Sequence, residues 1–550
     1  MFDYVIVIVI VGGGSAGAVL AARLSEDPDI RVCLLEAGGL GRDLLMRVPS
    51  GAAAIVPGYL KGGNWAFSTT PQKELNGRVG YQPRGRGLGG SSLINAMLYN
   101  RGHRGDYDEW AALGAKGWSF ADVLPWFLKA EDNVRGADPW HGRGGPLQVS
   151  DANWARPINQ AFIKAGEQCG FRPNEDFNGP LQEGLGLYQA TQFWRGPKKG
   201  ERCSSAAAYL HDHLDRPNLK IIRGVRASRI VIERGRAVGV AYRRGRSEIV
   251  VGARREVLLS AGALQSPQLL MLSGIGPAEH LRDHGIAVVH DLPEVGANLQ
   301  DHLDYTQIFR SADKDMIGLG FAGARDIVSA ACEWNRDGTG HLRSTFAESG
   351  GFLKTDPTLH RPDIQLHFVV AMVDDHARKM HWGYGYSCHV CVLRPHSRGT
   401  VRLASGDPLA APQIDPAFLS DARDMQTLKA GARLMRQIME SPALARYRGR
   451  ELYPACSADH ELEAAIRTRA DTIYHPVGTC RMGSDAAAVA DPSLRVNGVE
   501  GLRVIDASIM PRLIGGNTNA PVIMIAEKIA ASMRAERKRE IEPASGLHFA

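Results

Sequence analysis

Residues 5–11 alternate valine and isoleucine without a polar interruption, the composition of a parallel strand buried on both faces. Three glycines follow, and residues 16–25 then take up helical periodicity. A second apolar run, residues 31–35, ends on Glu36. Strand, glycine turn, helix and strand in this order predict the opening of a doubly wound α/β fold of the dinucleotide-binding kind. Residues 256–260, 286–292 and 502–505 read as further strands, and 520–533 as an apolar helix with Glu527 and Lys528 on its polar side. Strands of the first kind return late, so this unit is expected to be discontinuous: residues 1–155, 196–303 and 470–550. Residues 156–195 and 304–469, the latter richer in aromatic, His and Met residues, are left for a substrate-binding domain.

The 550 residues are 44% hydrophobic and 23% charged, enough apolar material for two domains with sizeable cores. The formal charge of +6 is dispersed along the chain, which argues against nucleic acid as a partner. Eight scattered cysteines and the absence of a leader-like segment point to reduced thiols in the cytoplasm. Cys388-His389-Val390-Cys391 invites a metal or redox reading. No second Cys or His pair stands at zinc spacing, however, and residues 384–393 alternate like a strand, so an inert strand is expected. The apolar run 5–11 is far short of the roughly 18 residues that span a bilayer. The basic stretch 534–539 is expected to fray as a solvated helix end, with a peripheral contact to the inner face of a membrane as the alternative reading.

Gly12-Gly13-Gly14-Ser15-Ala16-Gly17 fits G-x-G-x-x-G: Gly12 makes the turn, Gly14 admits a pyrophosphate, and Gly17 lets helix and strand pack closely. Glu36, followed by Ala37, stands where a carboxylate can accept from adenosine ribose hydroxyls. It would repel a 2′-phosphate, which argues against NADP and leaves FAD and NAD open. A second loop, residues 85–99, is rich in glycine and hydroxyl side chains and supplies backbone N–H donors at close approach.

That loop, continued to Asp108, resembles the first signature of the glucose-methanol-choline oxidoreductases, and residues 262–276, from Gly262-Ala263-Leu264-Gln265-Ser266-Pro267 to Gly276, resemble the second. The resemblance runs from about residue 2 to 533. It implies a Rossmann-like FAD-binding domain, a substrate-binding domain with an antiparallel sheet, and FAD as cofactor. Gly85, Leu88, Gly89, Gly90, Ser91, Asn95, Ala96, Met97 and Leu98 would lie along the isoalloxazine and pyrophosphate, Val225 against the adenine, Trp65 near the cofactor, and Asp506 and Ala507 at the ribitol and phosphates. Members that attach FAD covalently carry a histidine where this chain has Ile94, so non-covalent FAD is expected. The strand before the glycines is about four residues longer than the family's, an even insertion that keeps side-chain facing.

Tyr474-His475-Pro476-Val477-Gly478 resembles the family's catalytic-histidine segment, which makes His475 the expected base for an alcohol hydroxyl proton as hydride leaves for flavin N5. Its expected partner is Asn517, in Gly515-Gly516-Asn517-Thr518-Asn519, able to donate to a developing alkoxide. Asn519 competes for that role and reads otherwise as a helix N-cap before Pro521. The helix that follows would aim its positive end at the flavin pyrimidine. By resemblance the chain is most similar to bacterial FAD-dependent aliphatic alcohol dehydrogenases, and next to choline and polyethylene-glycol dehydrogenases, which implies a primary alcohol as substrate and a quinone or other non-oxygen acceptor. Glu348 with Phe346 and Phe352 offers a cage for a choline-like ammonium. An oxidase that makes hydrogen peroxide and a hydroxynitrile-lyase-like protein with structural FAD are the alternatives.

Overall fold

The computed structural model describes residues 7–541 apart from 61, 246, 455 and 457; residues 5 and 6 of the expected first strand lie outside the described residues. Ile8–Val11 is the middle strand of a five-stranded, all-parallel sheet. Val32–Glu36 and Leu219–Arg223 lie on one side of it, Glu256–Leu259 and Leu502–Val504 on the other. Val9, Ile10, Leu34, Val257 and Leu258 are fully buried, as a sheet covered by helices on both faces requires. The turn after the first strand admits only glycine at two points. Gly12 has φ +94, and a Cβ on Gly17 would stand 1.9 Å from the Gly12 carbonyl oxygen.

Residues 286–292 do not form the strand expected of them. Only His290–Asp291 pairs, with Ile275–Gly276; residues 286–289 run as irregular chain, their N–H groups drawn to Leu281 and Gly274 and Ile286 and Val288 half-buried against the core.

The C-terminal helix Asn519–Ile541 packs beside Ser15–Leu24, and here two sequence expectations fail. Glu527 is not on a polar face: it is 0% exposed, accepts from Nε and Nη2 of Arg23 at 2.9 and 2.7 Å and from the Tyr209 hydroxyl at 2.9 Å. Cations on neighbouring helices make its burial tolerable. The basic stretch 534–539 does not fray; it stays helical, with Arg534 paired to Glu26 and Arg537 to Asp27.

A second sheet has six antiparallel strands in the order Asp471–Thr472, Leu303–Ser311, Tyr384–Val392, Ile364–Val369, Ser349–Leu353 and Gly184–Leu187. Period-two alternation gives it two distinct faces. Leu366, Phe368, Cys388 and Val390 point into a core shared with the helix Ala422–Met439, whereas His367, Val369 and His389 point toward the parallel sheet.

Candidate active site

A cavity of about 950 Å³ lies between the two sheets. Each strand of the parallel sheet ends at it: Gly12, Glu36, Val225, Ser260 and Asp506 all stand at or just past a strand's carboxyl end and line the space. Doubly wound sheets bind their ligands at this edge. Gly14, Ser15, Ala16, Ala37, Trp65, Gly85, Gly90, Ser91, Asn95, Ala96, Met97, Leu98, Ala507, Thr518 and both His475 and Asn517 also line it. Gly17, Leu88 and Gly89 do not. They support the wall from behind, Leu88 packed 2.6 Å from where a Gly13 Cβ would sit and Gly89 donating its N–H to the Gly13 carbonyl at 2.7 Å.

The cavity's first half suits a dinucleotide. A Cβ on Gly14 would meet nothing nearer than 3.9 Å and one on Gly262 nothing within 4 Å, so backbone is presented to open space at both points. The helices Ser15–Leu24, Gly262–Leu272 and Asn519–Ile541 all begin there, directing N-terminal N–H groups and positive dipole ends into it. Glu36 accepts from the N–H groups of Gly13 and Gly38 at 2.8 and 2.7 Å, which fixes the carboxylate while leaving lone pairs for a ribose. Asp506 accepts from the Gly262 N–H at 2.8 Å, the Ser266 hydroxyl at 2.5 Å, and the N–H and hydroxyl of Ser508. Its carboxylate is thereby committed to holding the helix start at Gly262 in place. Burial pushes both carboxyls upward, against those donors. Trp65 stacks on Phe67 at 5.7 Å, with the guanidinium groups of Arg86 and Arg226 over its ring.

At the other end His475 and Asn517 meet, Nε2 to Nδ2, at 3.1 Å. The surrounding hydrogen bonds assign every proton in this pair. The Leu393 carbonyl can only accept, so His302 donates to it from Nε2 at 3.0 Å. Burial pushes His302 down to about 3, so its ring is neutral and its Nδ1 is bare. That nitrogen accepts from Nδ1 of His475 at 2.9 Å, which leaves the unprotonated nitrogen of His475 at Nε2, toward Asn517 and the cavity. Burial, with His302, His367 and Arg84 nearby, holds His475 itself well below the usual imidazole range.

Asn517 is oriented as firmly. Its Oδ1 accepts from Nδ2 of Asn100 and from Nε2 of Gln365 at 3.2 Å, and its backbone N–H donates to Asn100 Oδ1 at 2.8 Å. The amide nitrogen is thus turned to His475. The backbone N–H of His475 donates to Asp301 at 2.8 Å, and the preceding residue, Tyr474, is held at φ +76, a strained value for a non-glycine residue. Asn519 is drawn elsewhere: it begins the C-terminal helix, and its Oδ1 accepts from the Ser15 hydroxyl at 2.7 Å.

Sequence reasoning missed His302, Asn100 and Gln365, none of which belongs to the pair yet all of which set its geometry. It also missed His367 and His389, which face the cavity. His367 is 4% exposed with both ring nitrogens free of protein partners. The alternation of residues 384–393 signals His389, on the face opposite Cys388, and His367 pairs with it from the neighbouring strand; Cys388 and Cys391 are buried and free thiols. The expected ammonium cage is not assembled. Only Phe346 reaches the cavity, because Glu348 turns inward to Ser344 and the Thr345 N–H, and Phe352 packs edge-on against Phe177.

Two family models described as GMC oxidoreductase match residues 6–304 and 395–526. The chain is 48% identical to an "Alcohol dehydrogenase [acceptor]" of Pseudomonas putida over 96% of its own length and 95% of that protein's. It is 44% identical to the mitochondrial choline dehydrogenase of Homo sapiens over 95% and 88%. Among solved structures it is similar to pyridoxine 4-oxidase from Mesorbium loti (TM-score 0.87, 34% identity, 96% of this chain and 99% of that one). It is also similar to the formate oxidase of Aspergillus oryzae RIB40 studied for its FAD modification (TM-score 0.89, 28% identity, 96% and 98%).

Proposed function

This chain belongs to the GMC oxidoreductase family, whose cofactor is FAD, and on that premise we propose that it oxidises a primary alcohol to the aldehyde. Bound in the cavity, FAD supplies the hydride acceptor. His475 takes the hydroxyl proton at Nε2, the bare nitrogen of its ring. Asn517 donates from Nδ2 to the same oxygen, stabilising its developing charge and turning the carbinol carbon toward the cofactor. The single observation that carries this reading is the Nε2-to-Nδ2 pair, with each proton fixed from outside the cavity.

Gly12, Gly14 and Ser15, with Glu36 at the ribose and the helix starts at Ser15 and Gly262, would hold the adenosine and pyrophosphate. Ile94 stands where a covalent histidine link would form, so the cofactor is held non-covalently. The parallel-sheet segments, residues 1–155, 196–303 and 470–550, form the cofactor side, and 156–195 with 304–469 the substrate side. An aliphatic or aryl alcohol is favoured by the apolar lining of the substrate end, including Phe346, Val369, Val373 and Ile473, and by the likeness to the Pseudomonas putida enzyme. Electrons then pass to a quinone or another non-oxygen acceptor.

Anaerobic mixing of the yellow protein with a panel of alcohols tests this reading at the flavin absorbance. Bleaching by primary alcohols, with slow recolouring in air, is expected. Fast recolouring with oxygen uptake would make the protein an oxidase, and no bleaching by any alcohol would sink the dehydrogenase reading.

A further inference from the structure

The carboxamide of Asn517 is held by that of Asn100, whose Nδ2 donates to Asn517 Oδ1 and whose Oδ1 accepts the Asn517 N–H at 2.8 Å. Asn100 is fully buried and follows directly on the short strand Leu98–Tyr99. With so short a side chain, the places of its oxygen and nitrogen are set by the backbone at residue 100. That backbone is held in turn by Asn178. Its Nδ2 donates to the Tyr99 carbonyl at 3.1 Å and its Oδ1 accepts from the Arg101 N–H at 3.0 Å, so one buried carboxamide grips the peptide groups on both sides of Asn100.

Gln182, further along the same loop as Asn178, reaches Asn517 from its other side. Its Nε2 donates to the Gly515 carbonyl at 2.8 Å. The intervening turn has no slack: a Cβ on Gly516 would stand 2.1 Å from Asn100 Oδ1, and one on Gly515 2.4 Å from an Arg394 guanidinium nitrogen. The loop itself, residues 174–183, is closed by Asn174. The Nδ2 of Asn174 donates to the carbonyls of Leu181 and Glu183 at 3.0 and 3.1 Å, and its Oδ1 accepts from the Asp176 N–H at 2.8 Å. Asp176 accepts the Asn178 N–H at 2.9 Å, and buried His141 stands between Asp176 and Asp138, at 3.4 and 3.0 Å.

We propose that this loop places the alcohol-binding donor: Asn178 and Gln182 are positioning residues that fix Asn517 against His475. Neither they nor Asn100 line the cavity, so they act through Asn517 and not on substrate. A donor aimed at a developing oxyanion works only within a narrow tolerance, and that tolerance is kept by the groups behind it. The proposal rests on the function given above for the role of Asn517 itself.

The test uses the FAD-loaded protein and anaerobic flavin reduction by a primary alcohol. Asn178→Ala leaves the Tyr99 carbonyl and the Arg101 N–H without their partner. The limiting rate should fall by roughly ten- to a hundred-fold, the scale for a remote change that misplaces a reacting group by about 1 Å, while the half-saturating alcohol concentration changes little. In an Asn517→Ala background the same substitution should cost almost nothing, because the group it positions is gone. Gln182→Met keeps the volume and loses the bond to Gly515; it should show a smaller loss with the same dependence on background, and it carries the test if Asn178→Ala does not load FAD. Equal losses in the two backgrounds, or parent-like reduction by both loaded variants, overturns the proposal. A crystal structure of the variant reads the same link without turnover: Asn517 Nδ2 should leave its 3.1 Å contact with His475 Nε2. An unmoved Asn517 carboxamide overturns the proposal, whereas a parent that no alcohol bleaches, with Asn517 displaced in the variant, sinks the proposed reaction and leaves the positioning role standing.

Discussion

His302 does not line the cavity, yet it decides which nitrogen of His475 is bare. Replacing it with leucine removes the acceptor for the Nδ1 proton of His475 and strands the Leu393 carbonyl. Leaving a buried donor unpaired costs about 1–3 kcal/mol. If that free energy is released by turning the ring, or by moving the proton to Nε2, the reactive tautomer loses population by about 5- to 150-fold at 1.36 kcal/mol per decade. The assay is anaerobic stopped-flow reduction of the bound flavin at saturating alcohol, per mole of FAD. The limiting rate should fall within that range while the alcohol concentration for half-saturation changes little, since His302 touches no substrate. His302→Asn should recover part of the rate, because its amide can accept from His475 Nδ1 and donate to Leu393 at the same time. A purely structural role would lower FAD content and stability together and show no such split. A reduction rate within two-fold of the parent in a fully loaded His302→Leu protein would refute the tautomer argument.

His475→Ala should keep its yellow FAD and lose roughly 10²- to 10⁴-fold in flavin reduction, the range for a positioned acid–base group. Asn517→Ala should lose roughly 10²- to 10³-fold, as for a single oxyanion-type donor; an unchanged rate would remove Asn517 from the mechanism. Because burial lowers His475, the base stays neutral throughout the pH range above 6.5, and the acid limb of the reduction rate should lie below that value, lost as pH falls through the lowered pKa; a limb centred at or above 6.5 would contradict the burial argument. Glu527→Leu leaves Arg23 partly buried without its main carboxylate and should destabilise by roughly 3 kcal/mol, read as a lower denaturant midpoint; an unchanged midpoint would show that Arg23 finds solvent.

The parts of this molecule legible in its sequence were those fixed by local rules. The valine–isoleucine strand, the glycines at 12, 14 and 17, and the strand ending on Glu36 are dictated within a few residues of one another, and their local order appears in the fold as expected. Side chains whose meaning depends on a distant partner were read poorly. Glu527 has the helical phase of a surface residue, and only Arg23 and Tyr209, packed against it from other elements, explain its burial. Arg534 and Arg537 looked like a solvated tail for the same reason. Glu348 sits near two phenylalanines in sequence, but the strand Ser349–Leu353 turns Phe352 away from the cavity. The pair His475 and Asn517 came from motif resemblance, whereas Asn100, His302 and Gln365 come together only through tertiary structure.

The hydrogen bond from Ser15 to Asn519 spans 504 residues. At the 5–20 residues per second of protein synthesis, the phosphate-binding turn is made about 25–100 s before the helix that closes its cavity. Over that interval the first strands have no finished pocket to offer. Cofactor capture consequently waits for the helix that begins at Asn519, the last piece of the phosphate end of the cavity to be made.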